Sequence, residues 1–232
     1  MNISKIAKCG VLGAAVATMG MTAFAEPDAV QLWKDGPYFA TCNVGAEKPQ
    51  EAGYYFWWGD TVGYKHNGST WVSVDGNNTT ISFNNTAPAN TFSGKNVSAY
   101  VDANGNLKSA YDAAAVHLGA PWRMMTKDEL DKLVSTDYCQ REWVDEYKGV
   151  TVKGWVVKGK AGSAYENNEV FFPAAGYGSG SVLNGAGSPG YYWSSSPDSD
   201  NSRKAWYLGF SSSDFLAYNY GRCYGFSVRP VR

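Results

Sequence analysis

Between Lys204 and Phe210 the chain alternates. Trp206, Leu208 and Phe210 fall on one side of an extended backbone, and Tyr207, Gly209 and Ser211 on the other. A helix would repeat its apolar positions at three and four, so this period specifies a strand with one buried face. Two further anchored segments flank it: Tyr191-Tyr192-Trp193-Ser194-Ser195-Ser196-Pro197 before, and Gly225-Phe226-Ser227-Val228-Arg229-Pro230-Val231-Arg232 after. Loops rich in Ser, Asp, Asn and Gly separate them, the pattern of strands joined by turns. A strand that buries one face leaves the other free to vary.

The free side has a particular chemistry. From Tyr207 to Gly225 the residues are Tyr, Ser, Gly, Phe, Ala, Asn, Asp, Leu, Arg and Cys, with no Lys, Glu, Gln, Met or Trp. Antibody-like binding loops use the same mixture: Tyr gives large, stiff contact area, while Ser, Gly and Asn adapt their hydrogen bonds.

At 232 residues the chain holds one or at most two domains. Nine Trp, sixteen Tyr and twenty-six Gly point to a β-rich, loop-rich fold rather than a helical bundle. A net charge of −1 offers no electrostatic attraction to nucleic acid or to an anionic membrane. Lys5 and Lys8, an apolar stretch from Cys9 to Phe24, and Ala23-Phe24-Ala25 before Glu26 have the form of a cleaved export signal. The apolar run is too short for a membrane span. The expectation is a signal peptide over 1–25 and one domain over 26–232, with a periplasmic, cell-surface or secreted destination. Export makes cysteines potential disulfides. Cys42 and Cys139 sit in segments that look structural and are the expected pair, leaving Cys223 as a free thiol.

In chain order, residues 38–45 read as a short strand ending in a Gly turn. Residues 54–59, Tyr-Tyr-Phe-Trp-Trp-Gly, are too aromatic for a solvent loop. Residues 60–106 read as an irregular polar excursion containing a hairpin. Two helices follow. Ser109 with Asp112, and Thr126 with Glu129, have capping-box spacing; the first helix runs from Ala110 to Leu118 and stops at Gly119. Strands are expected over 150–157 and 170–177, then a Ser/Gly-rich loop from Gly178 to Pro189. Helices early and strands late make an α+β domain: two helices packed on small antiparallel sheets, loop-rich.

Several blocks in this order carry a resemblance: Ala40-Thr41-Cys42-Asn43-Val44-Gly45-Ala46, Gly53-Tyr54-Tyr55-Phe56-Trp57-Trp58-Gly59, Asp112-Ala113-Ala114, Trp122-Arg123-Met124, Phe172-Pro173-Ala174-Ala175-Gly176-Tyr177, Tyr192-Trp193-Ser194-Ser195-Ser196, and Ser227-Val228-Arg229-Pro230-Val231-Arg232. Over 40–232 the chain resembles the Fibrobacter succinogenes major paralogous domain family. It departs from that family at Met125, where Pro is usual. The resemblance implies a C-type-lectin-like fold, in the branch shared with formylglycine-generating enzymes and with the variable proteins of diversity-generating retroelements. In the last group, Asn codons are randomised by reverse transcription. A randomised Asn codon ending in a pyrimidine cannot encode the five types missing from Tyr207 to Gly225. The positions so implicated are Tyr207, Gly209, Ser211, Phe215, Ala217, Tyr218, Tyr220, Gly221, Cys223 and Tyr224, with Asn219 as an unchanged template residue and Trp206, Leu208, Phe210, Phe226 and Val228 as fixed core. Plain surface loops explain the same composition. These variable positions, Asn219 included, are the expected ligand-binding face.

Catalytic chemistry finds little support. His66 sits in the polar excursion and His117 ends an Ala-rich helix, where packing or a dipole contact suffices. Asp128, Glu129 and Asp131 read as a helix surface rather than a glycosidase pair. A formylglycine-generating enzyme needs two reactive cysteines near its C-terminus, and Cys223 stands there alone. No cofactor is expected. Calcium, which lectins of this fold often hold, has two oxygen-rich candidates. Asp102 to Asn106 lacks its closing acid, which is replaced by Ala113; the loop of Asp198, Asp200 and Asn201 is otherwise a solvated turn. Arg229 is expected to pair with a buried carboxylate, and Pro230 to mark an edge or a bulge. The expected function is an exported protein presenting this face to a protein or glycan ligand. The alternatives are a formylglycine-generating-type enzyme and a structural surface protein without a dedicated ligand.

Overall fold

The computed structural model describes residues 28–83 and 97–232. The expected signal peptide and part of the polar excursion lie outside them. The first half carries β1 (Ala29–Gln31), β2 (Tyr38–Ala40), β3 (Tyr55–Phe56), β4 (Tyr64–His66), β5 (Trp71–Ser73), α1 (Ala113–Leu118), β6 (Arg123–Met124) and α2 (Lys127–Val134). The second half is strands: β7 (Cys139–Tyr147), β8 (Val150–Gly159), β9 (Glu169–Pro173), β10 (Tyr177–Ser179), β11 (Val182–Asn184), β12 (Gly190–Pro197), β13 (Lys204–Phe210), β14 (Phe215–Gly221), β15 (Phe226–Ser227) and β16 (Pro230–Val231). The fold is α+β, dominated by sheet, with two short α-helices among the described residues.

A seven-stranded sheet, in the order β14-β13-β12-β15-β3-β4-β5, forms the spine. Its pairs are antiparallel except β12 with β15. Smaller sheets, β1-β2-β16-β6 and β7-β8-β9, pack beside it, and β10-β11 forms a hairpin inside the stretch expected to be a loop. The polar excursion holds a hairpin, but it pairs β4 with β5 rather than the alternating runs 71–74 and 80–83; Ile81 meets Trp71 only as an isolated bridge.

The helices start where local chemistry dictates. Thr126 accepts from the Glu129 backbone while the Glu129 carboxylate accepts from the Thr126 N–H, a complete capping box. Arg123 clamps the same carboxylate with two bonds of 2.8 and 2.6 Å. The first helix begins later than its spacing indicated. Ser109–Tyr111 is a 3-10 turn, and Asp112 is the true cap, accepting from Ala115 N at 3.0 Å. Asp112 also takes the Met124 N–H, at 2.8 Å, so its carboxylate ties α1 to β6 and prefers the later start. Gly119 ends α1 at φ 77°.

Two main cores lie on either side of the sheet. One gathers Phe39, Met125, Leu130, Leu133, Cys139, Val157, Phe172, Tyr192, Leu208, Phe210, Phe215 and Val231. The other gathers Val44, Phe56, Trp58, Ala113, Ala114, Met124, Trp193, Tyr207, Phe226 and Val228. The indoles are tied as well as packed: Trp193 donates to Phe56 O, and Trp58 to Ser194 O, at 2.9 and 2.8 Å.

Three expectations fail here. Arg229 meets no carboxylate among the described residues. Fully buried, it donates to Asn43 Oδ1 and to the carbonyls of Ala40, Thr41 and Phe171, and lies over the Phe172 ring. Four neutral acceptors satisfy the guanidinium fork without a counter-charge. Pro230 opens β16, a strand flanked on both sides by β2 and β6, not an edge; the first position of a strand tolerates its missing donor. Cys42, Cys139 and Cys223 are all free, so the Cys42–Cys139 bridge is not made. Cys139 is buried in the core with α2, while Cys42 follows β2 beside the Thr41 hydroxyl.

Candidate functional site: a face of tyrosines

Strand alternation builds the site. β13 and β14 pair without interruption from Phe210↔Phe215 to Lys204↔Gly221. Trp206, Leu208 and Phe210 therefore share a face with Phe215, Ala217 and Asn219; Ala205, Tyr207 and Gly209 share the other with Leu216, Tyr218 and Tyr220. The first face closes the core against α2. The second carries Tyr207 directly opposite Tyr218, and β12 adds Tyr191 opposite Gly209 and Trp193 opposite Tyr207.

The rings form one connected layer. Centroid distances are 4.8 Å for Tyr177–Tyr191, 5.5 Å for Tyr191–Tyr207, 5.9 Å for Tyr207–Tyr218 and 4.7 Å for Tyr220–Tyr224. Phe226, fully buried, lies beneath Tyr207 at 5.0 Å. Gly209 makes the layer possible. A Cβ there would sit 2.7 Å from the Tyr207 ring and 2.9 Å from the Tyr218 ring, so only a glycine lets both lean across it. The layer has a buried floor and an exposed rim: Tyr207 is 8% accessible, whereas Leu216, Tyr218 and Tyr220 are 45%, 39% and 43%.

Burial, and the nearby phenols with Asp214, push the Tyr191 and Tyr207 hydroxyls above their ordinary pKa; burial is the larger cause. Burial and its Asp214 contact do the same for Tyr218. The phenols are thus neutral at physiological pH and serve as both donors and acceptors. The Tyr218 hydroxyl donates to Asp214 Oδ2 at 3.3 Å, and Asp214 also takes the Ser211 N–H at the turn. The arrangement offers flat aromatic area edged by hydroxyls, and at its turn the Ser211 hydroxyl also donates to the Asp214 carboxylate.

The structure divides the expected binding residues. Tyr218 and Tyr220 stand on the exposed rim, and Tyr207 in its floor. Gly221, Cys223 and Tyr224 are half-buried at the strand end, and Ser211 is held in the turn. Phe215 is a core residue, 2% accessible, because its register places it with Phe210. Ala217 packs against the same core. Asn219 lies on the Trp206 side and accepts from Lys204 Nζ. Trp206, expected as fixed core, is half-buried under Lys127 Nζ. Sequence reasoning missed Tyr177, Tyr191 and Leu216. The period-2 pattern contains Tyr191 and Leu216, since each sits beside an anchored residue; nothing local marks Tyr177.

The other candidates are occupied elsewhere. His117 Nε2 faces Thr61 O at 2.9 Å between the rings of Tyr54 and Phe56, and burial lowers its pKa. His66 Nε2 faces Ser181 O on the rim of a cleft of about 540 Å³ that Glu47, Glu51 and Lys65 also line. Glu51 there accepts from the backbone of Glu47 and Lys48. Glu129 is consumed by Arg123, and Asp131 pairs with Lys127. Asp102 accepts from Asn104 N and Asn106 N, and Asp198 from Asp200 N and Asn201 N, so both oxygen-rich loops are self-capped turns. No group of three or more His, Cys, Asp or Glu comes together among the described residues. Nor is any helix among them long and apolar enough to cross a membrane.

No curated protein and no solved structure matches the chain. Residues 129–231 match a domain of unknown function, DUF8237. That stretch runs from within α2 to the end of β16 and contains every tyrosine of the face.

Proposed function

We propose that this chain is an exported binding protein that captures a protein or surface-glycan ligand on its tyrosine face, and that its fold is of the C-type-lectin kind. One observation carries the reading. The strands that supply Leu208, Phe210 and Phe215 to the core hold out Leu216, Tyr218 and Tyr220 to solvent, over a rigid aromatic floor. Pre-packed rings lose little conformational entropy on binding and present both π-faces and hydroxyls, the combination that binding loops favour. A broad face of this kind suits an extended ligand rather than a small molecule, which needs an enclosing cleft. Variation by a retroelement belongs to the same proposal at the exposed Tyr218 and Tyr220. Phe215 and Gly209 are set by packing and cannot vary freely.

The formylglycine-generating alternative has weaker support. Burial raises the pKa of Cys223, the reverse of an activated thiol. To test the binding reading, the chain and a Tyr218→Ala/Tyr220→Ala variant are applied to arrays of immobilised oligosaccharides and extracellular protein domains. Wild type is expected to be retained on specific spots. The variant should lose that signal by about tenfold or more, as exposed aromatic anchors do, with an unchanged thermal midpoint. Retention that is indifferent to the double substitution overturns the proposal.

A further inference from the structure

Among the described residues β14 ends the seven-stranded sheet and pairs with β13 alone. Outside that ladder its backbone makes a single bond to them, Tyr224 N to Gly221 O. The phase of the ladder shows which groups are left over. Ser211 N bonds Asp214 O at one end, and Arg222 N bonds Arg203 O at the other. Both bonds fix the same alternation, so Leu216, Tyr218 and Tyr220 bond inward to β13. The N–H and C=O groups of Phe215, Ala217 and Asn219 point away from the sheet.

Proteins blunt such edges with charge, proline, bulges or brevity. The other long end strand, β7, follows the rule: it carries Arg141, Glu142, Asp145 and Glu146 and a bulge between Val144 and Glu146. β1, β5 and β6 are two or three residues long. β14, Phe-Leu-Ala-Tyr-Asn-Tyr-Gly, has seven residues, no charge, no proline and an unbroken register. Its exposed side chains are Leu216, Tyr218 and Tyr220.

We infer that β14 pairs with β14 of a second copy of this chain, antiparallel about Tyr218, joining two seven-stranded sheets edge to edge. In that register Ala217 of each copy faces Asn219 of the other, so the outward donors and acceptors meet. Leu216 covers Tyr220 of the other copy, and the two Tyr218 rings adjoin. Charge favours this occupant and this direction. Asp214 precedes the strand, and Arg203 and Lys204 lie beside its far end; Arg222, which follows it, is buried over the Trp58 ring. Antiparallel self-pairing sets each acidic end beside the other copy's basic end, whereas parallel pairing would set like against like. The two tyrosine faces then become one continuous surface with two-fold symmetry. The inference rests on the strand edge and not on the ligand reading.

Sedimentation of the purified chain over a range reaching hundreds of micromolar tests it. Wild type is expected to move from 25.2 kDa towards twice that mass as concentration rises. Asn219→Pro removes an outward donor without touching the β13 ladder and should remain at 25.2 kDa. Hydrogen exchange on wild type supplies a readout that needs no variant. The Ala217 and Asn219 amides should exchange about tenfold more slowly at the high concentration. A chain that stays monomeric throughout, with those amides exchanging alike at both concentrations, overturns the inference; this is also the outcome if the edge serves a segment of another protein. A dimer retained by folded Asn219→Pro overturns it equally.

Discussion

Arg229 shows how much one side chain can organise. Its guanidinium sits under the Phe172 ring and donates to carbonyls after β2 and on β9, joining two of the smaller sheets. Burial lowers its pKa, yet a guanidinium stays charged at any physiological pH. Arg229→Met would leave four buried acceptors without donors and is expected to cost about 3–5 kcal/mol in urea denaturation. Arg229→Lys should recover little of it, since an ammonium cannot span the fork. The arginine is conspicuous in the sequence, but its partners are not. They lie 58 to 189 positions away and are mostly backbone, so no pattern of residue types announces them. Tyr54 to Trp58 was legible for the opposite reason: five adjacent aromatic rings have nowhere to go but inside.

At the scale of elements, local chemistry was legible and competition between caps was not. Thr126 and Glu129 cap α2 as their spacing predicts. Ser109 loses to Asp112 because Asp112 also serves Met124 of β6, a contact that sequence spacing cannot reveal. That contact carries a pH signature. Burial raises the Asp112 carboxyl to about 6, against the lowering effect of its backbone donors. The folded state then binds a proton that the unfolded state has released, between the ordinary carboxyl pKa and about 6. The stability contributed by this group is therefore full below that window and falls as pH rises through it. Asp112→Asn should flatten that part of the stability-versus-pH curve in urea denaturation. β13 was read correctly as a strand, but its second face is covered too: Ala205 and Tyr207 are buried, and of the pair only β14 holds large side chains out to solvent. The β7 strand was missed because its exposed positions bring charges into a sequence that otherwise would read as a strand.

For the whole molecule, the α+β class followed from composition and element order, while the sheet order did not, because it depends on pairings across most of the chain. The cysteines make the same point. Cys139 lies deep in the core beside Leu130 and Leu133, and burial pushes its thiol up to about 12. It should resist alkylation in the native protein. In denaturant without reductant, Cys42, Cys139 and Cys223 are all expected to alkylate by mass spectrometry; a Cys42–Cys139 bridge would leave Cys223 alone modified.

The position of β16 also bears on when the protein can fold. Phe39 lies next to Val231, and Met124 next to Pro230, so the sheet between them stays unfinished until residues 230 and 231 have been synthesised. Pairings so remote in sequence form slowly, and no shorter nascent product can complete them. A growing chain therefore stays open and threadable at β2 and β6 until Pro230 and Val231 arrive between them.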